Sequence, residues 1–114
     1  MHGQMMNMPL LISSLLQHAD RYNGDSEIVS RMVSGEIHRY TYREAHARTC
    51  QFANALVKLG ARPGDRLGTL AWNTHRHYEA YFGISGIGAI SHTINPRLFP
   101  EQISYIINHA EDKL

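Results

Sequence analysis

The sequence predicts an α/β fold, a mostly parallel sheet with flanking helices, preceded by an N-terminal helix and a β-hairpin. Three observations predict it. From Arg66 onward, short apolar runs alternate with helical stripes in the order strand, helix, strand, helix, and such alternation implies parallel strands joined by right-handed crossovers. Upstream, two strand-like segments flank Ser34-Gly35, which has the form of a two-residue hairpin step. Finally, a 114-residue chain that is 43% hydrophobic and 18% charged has the composition and size of one ordinary globular domain.

The first helix is expected from about Pro9 to Tyr22, with Leu11, Leu15, Ala19 and Tyr22 as its apolar stripe and Asn23-Gly24-Asp25 as its stop. Strands are expected at Glu27 to Val33 and Glu36 to Tyr42. An isolated hairpin is marginal in water, so this one should rest on something larger. Thr41-Tyr42-Arg43-Glu44 has the form of a capping box, in which the hydroxyl serves free helix N–H groups and the carboxylate reaches back. The helix it opens carries Ala45, Thr49, Phe52, Ala53, Leu56 and Leu59 on one face, and Gly60 suits its C′ position. Arg62-Pro63-Gly64-Asp65 is a turn, and Arg66 to Trp72 reads as a strand. Asn73 or Thr74 can cap the next helix, whose stripe is Tyr78, Tyr81, Phe82 and Ser85 and which Gly86 and Gly88 break. Ala89 to Ile94 is a strand, and Pro100 takes the first position of a helix with Ile103, Ile106, Ile107 and Ala110 as its stripe. Glu111-Asp112-Lys113-Leu114 then resembles the approach to a third parallel strand, so the sheet is expected to be unfinished and the chain to be the front portion of a larger protein.

Charge and composition exclude several function classes. Eleven basic side chains oppose ten acidic ones for a formal net charge of +1, and no basic run occurs; neither nucleic acid nor an anionic membrane is implied as a partner. The Met-rich start (Met1, Met5, Met6, Met8) has no Lys or Arg and so lacks the charged region of a secretory signal. Its longest apolar stretch, at Leu10 to Ile12, is far short of the ~20 residues a transmembrane segment needs. A cytoplasmic protein is expected. Cys50 is the only cysteine, which precludes an intrachain disulfide and reads as a small buried apolar residue.

Candidate chemistry is sparse. Gly83, Gly86 and Gly88 end a helix before a strand, the reverse of the strand–loop–helix order that cradles phosphate, so they read as helix–sheet packing positions. Of the eight histidines (His2, His18, His38, His46, His75, His77, His92, His109), only His75 and His77 are close in sequence. At i, i+2 on a helix they point apart and cannot share a metal; they read as solvated first-turn residues. No G-x-S-x-G nucleophile motif occurs, and Ser13-Ser14 falls inside the first helix. The segment His92-Thr93-Ile94-Asn95-Pro96-Arg97-Leu98-Phe99-Pro100 stands apart. It lies at the carboxyl end of a parallel strand, where open α/β sheets place ligands. There Arg97 offers a fixed-charge fork suited to phosphate, against the simpler reading of a structural turn.

Taken together, these segments resemble the beginning of an acyl-CoA synthetase of the adenylate-forming (AMP-binding) superfamily, most closely the fatty-acid–CoA ligases of medium- and long-chain type. The resemblance runs from about Leu11 and is carried by Thr41-Tyr42-Arg43-Glu44, Leu59-Gly60, Pro63-Gly64-Asp65-Arg66, Ala71-Trp72-Asn73, Glu79-Ala80-Tyr81-Phe82 and Gly88-Ala89-Ile90. Its most specific stretches are His92-Thr93-Ile94-Asn95-Pro96-Arg97-Leu98 and Ile107-Asn108-His109-Ala110-Glu111-Asp112-Lys113.

The resemblance implies that residues 1–114 are the N-terminal part of the large AMP-binding domain, with no complete second domain. It implies a parent enzyme that joins a fatty acid to CoA through an acyl-adenylate, using ATP and Mg²⁺. It places no catalytic or metal-binding residue in this stretch. No Ser/Thr/Gly-rich loop ends in Lys here, and Lys58 and Lys113 do not match the family's catalytic positions, so the 114 residues alone are expected to be inactive. In similar ligases the loop equivalent to Asn95–Phe99 passes near the CoA nucleotide, which makes Arg97 the candidate CoA contact. Relatives of this type often form homodimers through their amino-terminal region, which implies the first helix and hairpin as the interface. The alternative is a standalone interaction or dimerisation module that keeps the fold without the chemistry. A metal-binding protein built on the histidines is a third reading, and no bound zinc is expected.

Overall fold

A computed structural model describes residues 3–114; Met1 and His2 of the sequence analysis lie outside them. The element order is α1 (Ile12–Asn23), β1 (Glu27–Arg31), β2 (Ile37–Thr41), α2 (Tyr42–Lys58), β3 (Arg66–Leu70), α3 (His75–Gly86), β4 (Ile90–Ile94) and α4 (Pro100–Ala110). β1 and β2 pair antiparallel, and β3 pairs with β4 in parallel with Gly68 opposite His92. The α/β class, the helix-plus-hairpin start and the parallel unit agree with the sequence reading. None of the described helices is long and apolar enough to cross a membrane.

Local chemistry sets most boundaries. At the start of α2 the Thr41 Oγ1 accepts from the Glu44 N–H at 3.3 Å while the Thr41 N–H donates to Glu44 Oε2 at 2.8 Å. The Thr41 N–H, and then the Thr41 hydroxyl donating to the same oxygen at 3.1 Å, hold the Glu44 carboxyl below its usual pKa. The far end of α2 closes as a Schellman motif: Ala61 N–H donates to Leu56 C=O and Gly60 N–H to Val57 C=O, each at 3.0 Å. Gly60 has a φ of +98° there, which an L side chain rarely adopts. Pro100 does open α4. The hairpin loop is longer than expected, because Gly35 N–H donates to Met32 C=O and Met32 N–H to Glu36 C=O. That leaves Val33, Ser34 and Gly35 in the loop, with Gly35 at φ +92°, the three-residue form that ends in a left-handed glycine bulge. α1 starts at Ile12 rather than near Pro9.

The core lies where α2 and α3 pack on the β3–β4 ribbon, and comprises Leu56, Ala61, Leu67, Ile84 and Ala89 with Phe52, Ala80 and Ile87 against them. Burying side chains the size of Leu67 and Ile84 contributes about 1.5–3 kcal/mol each. Helix facing departs from the expected stripes. In α1 the buried residue is Leu16, while Leu11, Leu15 and Tyr22 are exposed, because Asp20 is drawn onto α2 by His46 at 2.6 Å. In α3 the inward residues are His75, Glu79, Gly83 and Ile84 rather than the aromatic stripe, and Tyr81 is exposed. Leu59 is exposed too. Cys50 sits in α2 but is exposed rather than buried. Gly83 serves helix–helix rather than helix–sheet contact: a Cβ there would stand 2.8 Å from Phe52 Cδ1 and 3.4 Å from the Thr49 carbonyl.

The segment after α4 runs alongside β3. Glu111 adopts a left-handed conformation (φ 54°, ψ 44°) that turns the chain back. Lys113 N–H then donates to Arg66 C=O, and Gly68 N–H to Leu114 C=O, both at 2.8 Å. β3 is thus bonded on both sides, as the reading of a third strand requires.

Candidate functional site

The carboxyl ends of β3 and β4 frame an open cleft of about 450 Å³ lined by Ala71, Trp72, Asn73, His77 and the run Thr93–Arg97. The strands place these residues because their parallel register puts Leu70 beside Ile94. The segments just past both residues therefore emerge together. In the β4–α4 loop, Asn95 Oδ1 accepts from the Arg97 N–H at 3.0 Å and Asn95 C=O accepts from the Leu98 N–H at 3.3 Å. This is a side-chain turn nested in a backbone turn, with Pro96 fixing φ at the corner. The Arg97 guanidinium carbon stands 5.4 Å from the centre of the Trp72 ring, over its face. His77 Nε2 lies 3.2 Å from Thr69 Oγ1 on β3.

This chain matches the family of AMP-binding enzymes over residues 15–114. It belongs to that family. It is 56% identical to the 3-methylmercaptopropionyl-CoA ligase of Ruegeria lacuscaerulensis, over 100% of this chain and 21% of that protein. It is 54% identical to the medium-chain-fatty-acid–CoA ligase of Ectopseudomonas oleovorans, again over 100% of this chain and 21% of that protein. Among solved structures it superposes on the Mycobacterium tuberculosis fatty acyl CoA synthetase with a TM-score of 0.77 at 25% identity, covering 90% of this chain and 20% of that one. The chain therefore spans about one-fifth of the length of the curated relatives it matches.

In this AMP-binding family member the cleft at the strand ends is the place the sequence singled out, and Arg97 is on its rim and exposed. The sequence reading missed Trp72 as the residue beneath it; only the register of two strands more than twenty residues apart brings them together. Among the described residues no group of three or more His, Cys, Asp or Glu side chains is placed to hold a metal ion.

A second polar cluster joins the hairpin to α3, where the reading of His75 as a solvated residue is overturned. His75 is buried and its ring stacks on His38 at 3.8 Å between centroids, with Tyr40 edge-on at 5.7 Å. The hairpin packs on α3, β1 along its backbone and β2 through the His38 and Tyr40 rings, and these rings cover His75. Below it, Glu79 is held bidentately by Arg48 at 2.7 and 3.2 Å. Burial, then the negative charge of Glu79, raises the Tyr40 hydroxyl well above its ordinary pKa. Burial, then the adjacent His38, lowers the His75 imidazole. Groups facing it are His38 and Tyr40 from β2, Arg48 from α2, and Arg76 and Glu79 from α3. Because folded His75 resists a proton that the unfolded chain accepts near pH ~6.5, its contribution is fully present above that pH and lost as pH falls below it. Unfolding midpoints in urea are expected to drop between about pH 7.5 and about pH 5.5, and His75→Phe is expected to flatten that drop. An equal drop in both proteins would contradict the assignment.

Proposed function

We propose that this chain is the leading part of the large domain of an ATP-dependent fatty-acid–CoA ligase. The observation that carries the reading is identity of 54–56% to two CoA ligases across the full 114 residues. The cleft at the strand ends, with a cation on its rim, accords with it. In the proposed reaction a carboxylate oxygen attacks the α-phosphorus of ATP and pyrophosphate leaves. The CoA thiolate then attacks the acyl carbon and AMP leaves. The groups that hold the triphosphate and Mg²⁺ belong, on this reading, to the remainder of the enzyme. This stretch supplies sheet, helices and the wall on which Arg97 meets a phosphate of CoA, and by itself it is inactive.

The two relatives differ in the acid they name, so the acyl group is the point to test. Thioester formation by the complete enzyme, measured over straight-chain acids of graded length and 3-methylmercaptopropionate, is expected to favour medium- to long-chain acids by at least about tenfold in kcat/KM. A preference for 3-methylmercaptopropionate would reassign the substrate, and no thioester with any acid would leave a module that keeps the fold without the chemistry.

The same reading includes a homodimer formed through α1 and the hairpin. The exposed stripe Leu11, Leu15 and Tyr22, continued by Met5, Met6 and Met8, supplies an apolar face for it. Light scattering is expected to give twice the monomer mass; a monomer at every concentration would overturn this.

A further inference from the structure

Arg39, Arg43 and Arg48 each engage a carboxylate. Arg97, like Arg21, Arg31, Arg62, Arg66 and Arg76, pairs with none among the described residues; what sets it apart is that it lines the cleft at the strand ends, where no carboxylate faces it. What it touches instead is the face of Trp72, at 5.4 Å. A guanidinium held over an aromatic ring is attracted by the ring's electrons yet keeps its in-plane N–H donors free for an oxyanion. A carboxylate partner would have occupied those donors.

Two further features make the arrangement a fixed one. The Arg97 backbone is locked by the Asn95 side chain and by the turn through Pro96. That leaves the long side chain as the part still free to wander, and an unheld arginine loses considerable rotamer freedom when it binds. Trp72 lies two residues past the end of β3, is half exposed at 46%, and lines the cleft with Arg97 over its ring. Neighbouring Asn73 and His77 add no negative charge.

We propose that Trp72 is a positioning residue: its ring holds the Arg97 guanidinium, without a counter-ion, in the orientation that receives a phosphate of CoA. This rests on the reading of the cleft as the CoA side of a ligase. Trp72 itself need not touch CoA, and the adenylation half of the reaction does not involve it.

The test uses the complete ligase with CoA as the varied substrate, and pyrophosphate exchange as the measure of adenylation alone. Trp72→Leu is expected to raise the KM for CoA about two- to fivefold, in line with an exposed cation–π contact. Pyrophosphate exchange and the KM for ATP should stay at wild-type values. Trp72→Phe, which keeps a ring face, is expected to retain most of the CoA affinity. Arg97→Ala is expected to raise the KM for CoA by about tenfold, the loss of one charge-assisted contact. Adding Trp72→Leu to it should then do nothing more, because the group Trp72 orients is gone. If Arg97→Ala leaves the KM for CoA unchanged, the CoA reading of the cleft fails. If Arg97→Ala raises it but Trp72→Leu does not, or if Trp72→Leu acts equally with Arg97 absent, the positioning role alone fails. A parallel fall in pyrophosphate exchange with Trp72→Leu, unrescued by Phe, would make the ring merely structural and also overturn the proposal.

Discussion

Arg48→Ala is expected to lower the free energy of unfolding by about 2–3 kcal/mol, because it leaves a carboxylate stranded between two helices. Glu79 is nearly buried, its side chain 8% exposed, and Arg48 is its bidentate partner from α2. Water reaches Arg48, whose side chain is 49% exposed, so the loss falls short of that for a fully enclosed pair. The pair also sets the facing of α3, since it draws Glu79 inward beside Tyr40. Replacing both partners together, as Arg48→Met with Glu79→Met, is expected to recover most of the loss, since no charge is then left buried. Urea denaturation of the single and double variants measures this. A double variant no more stable than Arg48→Ala would contradict the argument.

Gly68→Val is expected to cost about 2 kcal/mol and to detach the segment that follows α4. Asp112 reaches across β3 to His92 on β4, with both carboxylate oxygens 2.9 Å from His92 Nδ1. The residue it crosses is Gly68, where a Cβ would stand only 3.0 Å from Asp112 Oδ2. A branched side chain would therefore push away a carboxylate whose side chain is 3% exposed, and leave it without its partner. The Lys113 N–H, bonded to Arg66 C=O, reports the effect locally. Its hydrogen exchange should accelerate in Gly68→Val while exchange in the α2 and α3 core changes much less. Equal acceleration everywhere would point to general destabilisation instead.

Features decided within a few residues were legible in the sequence. The Thr41–Glu44 box, Gly60 after α2 and Pro100 at the start of α4 depend on chemistry within about five residues, and each stands where that chemistry put it. Strand order followed from alternation for the same reason. Helix facing was not legible. The stripes of α1 and α3 were read from periodicity, yet the faces that turned inward were chosen by Asp20 with His46, by Arg48 with Glu79, and by the close approach at Gly83. Those partners lie 26 and 31 residues apart for the two ion pairs, and no local pattern records them.

The site divides in the same way. Arg97 could be singled out because Asn95-Pro96 after a parallel strand marks a fixed turn at a ligand-binding edge. Trp72 could not, because its pairing with Arg97 depends on the register of β3 against β4. The His38–His75 stack was equally hidden: it needs the hairpin to fold onto α3. Helical spacing did show that His75 and His77 point apart, but not where to: His77 turned toward Thr69, and His75 inward against His38.

On the proposed function these residues are scaffold for adenylation, and the groups that handle the triphosphate come from the rest of the enzyme. Fatty-acid-dependent exchange of labelled pyrophosphate into ATP tests it most directly, run in parallel on the 114-residue chain and on the complete enzyme that carries it. The account predicts exchange by the complete enzyme and none by the chain alone. Exchange sustained by the chain alone, or its absence from the complete enzyme with every fatty acid, would contradict it.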